Sequence, residues 1–324
     1  MKLTGVTIDD LLRQSIEAII SSGSPIRSTR GPNIEVLGAY LELSDPRARL
    51  CQAENRSTLF SCLGELFWYL SASDELAFME HYVPTYREFV EADEHGRVPT
   101  AYGPRLFSWD GINQFKEVTD RLQKSSGTRQ ATLQIFDRRD LVTGKKDVPC
   151  TCFLQFFCRD KRLHLITSMR SNDVVRGLPT DAFAFTMIQE IMARSLGLEL
   201  GSYRHFAGSF HLYDEDIDSA RRLLAEGWQQ TVGASMKPMP QGDPWPAINE
   251  VLRAERAYRT GTMVDPWPSF GQDYWDQIIW LLEMHRHSQA GDLQRFEQGL
   301  SRSRDSYFDR HIQSRLKRLR GDKE

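Results

Sequence analysis

The stretch that most restricts how this chain can fold runs from Asp147 to Asp181. Residues 150–158 and 161–168 alternate about a turn at Arg159-Asp160-Lys161, the pattern of a β-hairpin with one face buried. Arg170-Ser171-Asn172-Asp173 then supplies a cation, a hydroxyl, an amide and a carboxylate in consecutive positions. Gly177-Leu178-Pro179 leads on to residues 183–195, where Ala184, Met187, Ile188, Ile191 and Met192 recur at helical spacing and Gly197 stands ready as the C′ residue. A hairpin joined to an amphipathic helix through so polar a run places hydrogen-bonding chemistry at the edge of an apolar core. Cys150 sits at the mouth of the first strand, where a thiolate can face a pocket.

Composition fits a folded enzyme, because 324 residues that are 40% hydrophobic and 26% charged can bury one large core or two smaller ones. A net charge of −3 gives no reason to expect nucleic-acid binding. No apolar run approaches the ~20 residues of a membrane span. The start Met-Lys-Leu-Thr-Gly-Val has no apolar signal core, so a cytoplasmic protein is expected. Five cysteines (51, 62, 150, 152, 158) form an odd set without a disulfide framework, and reduced thiols are expected. Cys150, Cys152 and Cys158 share strand parity and His164 is near in sequence. Ligands strung along one rigid strand without a C-x-x-C pair do not close a tetrahedron, so no metal is expected. Cys152 and Cys158 read as small buried hydrophobes.

Along the chain, Ile8, Leu11, Leu12, Ile16, Ile19 and Ile20 predict a helix over 8–21. Residues 22–33, rich in Ser, Gly, Pro and Arg, read as a loop, and 34–43 as a strand. Residues 55–70 read as a helix with Leu59, Cys62, Leu63, Leu66, Phe67 and Leu70 on one side. Glu65 falls among these apolar neighbours, and a carboxylate there must be paired, neutral or functional; a structural salt bridge is the plain alternative. Asp181, just before the helical run, reads on its own as an N-cap. Segments 238–246 and 265–268 are breaker-rich, 274–287 and 293–300 are amphipathic, and the basic end 315–320 reads as a solvated helix face.

Pro149-Cys150, Arg170-Ser171, Asp173, Gly177-Leu178-Pro179 and Gly208-Ser209-Phe210-His211-Leu212-Tyr213 resemble, in order and spacing, the nucleophile, phosphate and nucleoside motifs of the thymidylate synthase family. The resemblance runs from about Gly31 to about Asp216. It implies an α/β (α+β) fold, a mixed sheet packed by helices, with residues 1–240 as the catalytic domain and 241–324 as a helical C-terminal extension. It implies a homodimer that takes a nucleoside monophosphate and a folate. Cys150 would be the nucleophile, Glu65 the residue that orders water and relays protons, and Tyr102 a member of the active-site rim. Arg170 and Ser171 would bind phosphate, Arg170 also lowering the thiol pKa, with either Arg27 or Arg30 arriving from the 22–33 loop. Arg129 would reach across the dimer to the partner's phosphate; the second arginine of that motif is Gln130 here. Asn172, Asp173 and Gly177 would line the pterin and ring pocket, Tyr86 would stand near the place of a tryptophan packed over the reacting ring, and His211 and Tyr213 would hold the sugar hydroxyls.

At the position of Asp181 thymidylate synthases carry an asparagine that reads O4 and N3–H of uracil. Cytosine presents the reverse pattern, an amino donor at C4 and an acceptor at N3, which suits a proton-sharing carboxyl group. Aspartate here, with Met169-Arg-Ser-Asn-Asp-Val-Val175 and with Thr151 where synthases usually have histidine, resembles the cytidylate hydroxymethylase branch. The expected reaction is hydroxymethylation of C5 of CMP or dCMP with 5,10-methylenetetrahydrofolate and water. Thymidylate synthesis from dUMP and a non-catalytic nucleotide- or RNA-binding descendant are the alternatives. The helical tail differs from the short apolar tail that closes over folate in synthases, which favours capture of the one-carbon unit by water.

Overall fold

The hairpin of residues 151–173 is part of a larger sheet. A computed structural model describes all residues except 55–57, 143–146, 232, 263–266, 270 and 322–324. Its strands are β1 (Lys2–Gly5), β2 (Ser24–Ser28), β3 (Gly31–Leu43), β4 (Thr132–Gln134), β5 (Thr151–Arg159), β6 (Arg162–Asp173) and β7 (Glu199–Tyr213). They form one mixed sheet in the order β1-β3-β7-β6-β5-β4, with β2 added to β3. The β1–β3 and β6–β7 pairs are parallel and the others antiparallel. Arg159 pairs with Arg162, leaving Asp160 and Lys161 as a two-residue turn with φ of 50° and 59°, the geometry whose twist matches a hairpin.

A parallel pair needs a crossover, and β6 reaches β7 through α7 (Gly177–Ser195). This helix is buried on every side, as one with apolar residues around its whole girth must be. It lies between the sheet and α2 (Leu59–Leu70), while α1 (Ile8–Ser22), started by a Thr7–Asp10 capping box, covers the sheet at β3. Around them stand α3 (Leu76–Tyr82), α4 (Tyr102–Phe107), α5 (Gln114–Lys124), α6 (Arg139–Val142) and α8 (Ile217–Ala225). The C-terminal helices α9 (Trp245–Thr260), α10 (Asp273–Gln289), α11 (Leu293–Leu300) and α12 (Asp309–Arg320) pack on one another and reach α2 through α9. No helix among the described residues is long and apolar enough to cross a membrane.

Several elements differ from expectation, for physical reasons. Residues 22–33 are not a loop: Ser24 to Ser28 pair with Glu35 to Gly31, and these ladder bonds outweigh the turn-forming composition. The strand expected from 34 accordingly begins at Gly31. The helix expected from 183 begins at Gly177, because the Asp173 carboxylate accepts from the backbone N–H groups of Arg176 and Gly177 and starts it there. Asp181 is therefore inside the helix and is no N-cap. The described part of the 55–70 helix starts at Leu59; Asn55 and part of the 265–268 segment lie outside the described residues. Cys152 and Cys158 are only half-buried, near the two ends of β5. In the basic end, Lys317 and Arg318 are exposed, whereas Arg315 turns inward over the Phe60 ring at 5.1 Å, where burial lowers its pKa.

One buried ion pair fixes α7 in place. Arg49 and Glu190 bond to each other with both side chains at 0% exposure, and Glu190 also accepts from the Met239 backbone at 3.0 Å. Replacing Arg49 by Met strands a buried carboxylate, so urea unfolding should show a loss of about 3–5 kcal/mol. The paired replacement Arg49→Met with Glu190→Leu should recover most of it.

Candidate active site

The floor of the cleft comes from α2. Glu65 stands half-buried on that helix, and Tyr69, one turn later and therefore on the same side, donates its hydroxyl to the Glu65 carboxylate. The Tyr69 ring stacks on Tyr102 at 5.3 Å, and the Tyr102 hydroxyl accepts from the backbone N–H of Thr151 at 3.1 Å. A chain of contacts thus joins Glu65 to the residue after Cys150. Trp68, the residue before Tyr69 on α2, meets Tyr86 edge-on at 5.6 Å. Its buried indole N–H has no partner among the described residues.

The back wall is the junction of β6 and α7. Asn172 donates from Nδ2 to Asp181 Oδ2 at 2.7 Å. Gly177 makes this contact possible, since a Cβ there would lie 2.8 Å from Asn172 Nδ2 and push the amide away. Asn172 Oδ1 and Asp173 Oδ2 are buried acceptors left without partners among the described residues, and so is the Thr151 hydroxyl. Buried polar atoms are normally satisfied. Four such atoms, counting the Trp68 N–H, fit a cleft built for a hydrogen-bonding ligand.

The rim is cationic. Arg170 is anchored by Nε to the Pro149 carbonyl at 3.0 Å and by Nη2 to the Val148 carbonyl at 2.7 Å, which leaves its guanidinium exposed beside Cys150. Arg30 donates to the Phe89 carbonyl at 2.6 Å and lies over the Phe89 ring at 5.7 Å. Its charge reaches Cys150, Asp147, His211 and Tyr213. Of the two loop arginines, Arg30 is the one brought to the site; Arg27 is exposed on β2. Ser171 pairs with Ser209 across the β6–β7 ladder, and His211 and Tyr213 meet edge-on at 4.9 Å on β7. Arg129 is exposed and is not part of this cluster; its carbonyl accepts from Gln155 Nε2 at 2.9 Å.

Burial governs the acidities. The Cys150 thiol is pushed up by burial; Arg170 lowers it and Asp181 raises it again. The thiol-lowering effect expected of Arg170 is present, but burial exceeds it. Asp181 is raised well above the usual carboxylate range by burial and then by the charge of Glu65, against the opposing bond from Asn172. Glu65 is raised by burial, against the bond from Tyr69. Both carboxyl groups are thus held above the ordinary carboxylate range. The arrangement therefore offers a sulfur nucleophile, a buried carboxyl group able to donate a proton, a second proton carrier and a cationic rim for an anion.

A thymidylate synthase family model matches residues 16–240. The chain belongs to the thymidylate synthase family. The match spans Glu65, Cys150, Arg170, Asp181 and His211, and so covers the whole cluster. Thymidylate synthase family enzymes transfer a one-carbon unit to C5 of a nucleotide, bind nucleotide and folate, and take the carbon from methylenetetrahydrofolate. The unpartnered Trp68 N–H and the Asn172 and Asp173 oxygens suit such polar, flat ligands. Tyr69, Trp68 and Asp147 were not singled out from the sequence as site residues. The signal for Tyr69 was its i+4 position relative to Glu65.

Two outcomes follow from this geometry. Tyr69→Phe frees the Glu65 carboxylate from its donor, so the acidic limb of the rate profile should move to higher pH with nucleotide affinity unchanged; an unmoved limb would separate Tyr69 from Glu65. Asp181, with its folded pKa raised above the ordinary 3.8, holds a proton that the unfolded chain gives up. Stability should then fall as pH rises above that value, and Asp181→Asn should flatten the fall in urea titrations. Glu65 acts in the same sense, so part of the slope should remain.

Proposed function

We propose that this protein hydroxymethylates C5 of a cytosine nucleotide, CMP or dCMP, using 5,10-methylenetetrahydrofolate and water. The observation that carries the reading is Asp181: a buried carboxyl group, raised toward its neutral form, with one oxygen already accepting from Asn172. Facing cytosine, the free oxygen can give its proton to N3 while the carboxyl group accepts from the C4 amino group. A neutral carboxyl can also bond uracil, but uracil N3 carries a hydrogen and has no lone pair to take the proton. Only with cytosine does the bond become a proton transfer into the ring.

That transfer has a chemical use. The Cys150 sulfur, as thiolate beside Arg170, adds to C6; the C5–C6 electrons move toward C4 and N3, and N3 takes the Asp181 proton. C5 then forms its bond to the methylene carbon supplied by the folate. Glu65, as the carboxylate that the Tyr69 hydroxyl supports, accepts the C5 proton and passes it to the folate nitrogen as that nitrogen departs. Departure of tetrahydrofolate leaves an exocyclic methylene, water adds to it, and loss of the Cys150 thiolate restores the C5–C6 double bond as Asp181 recovers its proton. The sum is nucleotide, methylenetetrahydrofolate and water giving 5-hydroxymethyl nucleotide and tetrahydrofolate. Arg30, Arg170 and Ser171 hold the phosphate, His211 and Tyr213 the sugar, and Asp173, Gly177 and Tyr86 the folate side of the cleft. The protein would be cytoplasmic.

The proposal includes a homodimer. The sheet face away from α7 is uncovered, with Leu37 72% and Phe206 40% exposed and Phe153, Phe157 and Ile166 half-buried. Gln155, which holds the Arg129 carbonyl, belongs to the same outward row of β5, so two copies joined by this face would bring Arg129 to the partner's rim. Mixing inactive Cys150→Ser with inactive Arg129→Ala should restore part of the activity, and no restoration would refute the shared site.

Base choice tests the main reading. Asp181→Asn should turn preference from cytidylate toward uridylate by roughly ten- to hundredfold in kcat/KM, the cost of an unpaired buried polar group. A mutant that keeps its cytidylate preference would remove Asp181 from base recognition.

A further inference from the structure

The active-site helix α2 is backed by the C-terminal helices, and one tyrosine ties those helices to the residue before Glu65. Tyr82, the last residue of α3, is 8% exposed and lies directly on Gly64, where any Cβ would overlap its ring. Gly64 immediately precedes Glu65. The Tyr82 hydroxyl donates to Glu255 Oε1 of α9 at 2.9 Å, and Glu255 is 2% exposed. Arg259 fixes that carboxylate from one turn away, with Nε at 2.8 Å, and lays its guanidinium over Phe78 of α3 at 4.1 Å. From α10, His285 stacks on the Tyr82 ring at 5.0 Å and 10°, and meets Phe60 of α2 at 4.6 Å. Glu255 and His285 both lie beyond residue 240, where the family match ends.

The same tyrosine also sets the opposite wall. Val83 N–H bonds to the Met79 carbonyl at 2.7 Å and Tyr86 N–H to the Val83 carbonyl at 2.9 Å, so the chain turns tightly from Tyr82 to Tyr86. Tyr86 in turn meets Trp68 edge-on, in the field of Glu65 and Asp181. One side chain thus touches the residue before Glu65 and anchors the turn that presents Tyr86.

We propose that Tyr82, held by Glu255 and His285 of the C-terminal helices, is a positioning residue that sets Glu65 and Tyr86 for the one-carbon transfer step. Neither Tyr82 nor Glu255 touches the ligands; they act through α2 and the 83–86 turn. The extension thereby becomes part of the catalytic apparatus. The assignment rests on the reaction proposed above only for its kinetic consequence, and its structural consequence can be read without turnover.

The test uses the full chain with Tyr82→Phe, Glu255→Met and the double variant, each counted per folded site by titration with CMP. Loss of one hydroxyl or one charge leaves the core volume intact, so the variants should fold. Amide hydrogen exchange should rise in residues 59–70 and 83–89 of both single variants while β5, β6 and β7 stay protected. Turnover per site should fall on the order of tenfold, as small misplacements of catalytic groups do, with CMP affinity within about twofold of the parent. The double variant should be no worse than either single one, because both break the same link. Unchanged exchange in those two segments, or unchanged turnover per site in an active parent, would overturn the proposal. Raised exchange in a parent with no activity on any pyrimidine nucleotide would support the link and refute the proposed reaction.

Discussion

The site depends on one contact, the Asn172 amide on the Asp181 carboxyl. It lies where a strand ends and a buried helix begins, and three features of the chain converge to allow it. Asp173 starts α7 at Gly177, the missing side chain of Gly177 leaves room for the amide, and the buried girth of α7 denies Asp181 the water that would ionise it. Moving the helix start by one residue would rotate Asp181 by about 100° around the axis and out of the cleft. The Arg49–Glu190 pair, two to three turns further along α7, resists the sliding that would have the same effect.

Much of this was legible in the sequence because the motifs are local. The hairpin, Cys150 at the mouth of β5 and the Gly197 helix end follow from alternation and turn chemistry, and the structure has them; the turn expected at 159–161 is narrowed to Asp160 and Lys161 by the Arg159–Arg162 pair. What composition hid was decided by partners far away in sequence. Residues 24–28 have the composition of a loop and become a strand because β3 offers them a ladder; Arg27 lies in that strand, whereas Arg30 stands in the turn after it, with its charge reaching Cys150. The start of α7 was misplaced because Gly177-Leu178-Pro179 looks like a turn, although Pro is well accommodated in a first helical turn. The acidity of Cys150 was read only in part: the lowering by Arg170 is there, but burial, which only packing fixes, exceeds it.

The balance of protons separates two roles in a small space. Burial and the charge of Glu65 raise the cost of ionising Asp181, and a ligand with a basic ring nitrogen relieves that cost by taking its proton. Substrate binding and activation for attack at C6 then draw on the same proton. The C-terminal helices add a mechanical counterpart, since Glu255 and His285 grip the tyrosine against which Glu65 is placed.

The central claim, a cytosine nucleotide carrying a new hydroxymethyl group, is tested most directly by product analysis. The protein is incubated with CMP, dCMP and dUMP in turn, each with methylenetetrahydrofolate in water enriched in heavy oxygen. The account predicts turnover of a cytosine nucleotide, a 5-hydroxymethyl product that carries the heavy oxygen, and tetrahydrofolate as the released folate. A 5-methyl product with stoichiometric dihydrofolate, or preferred turnover of dUMP, would contradict it.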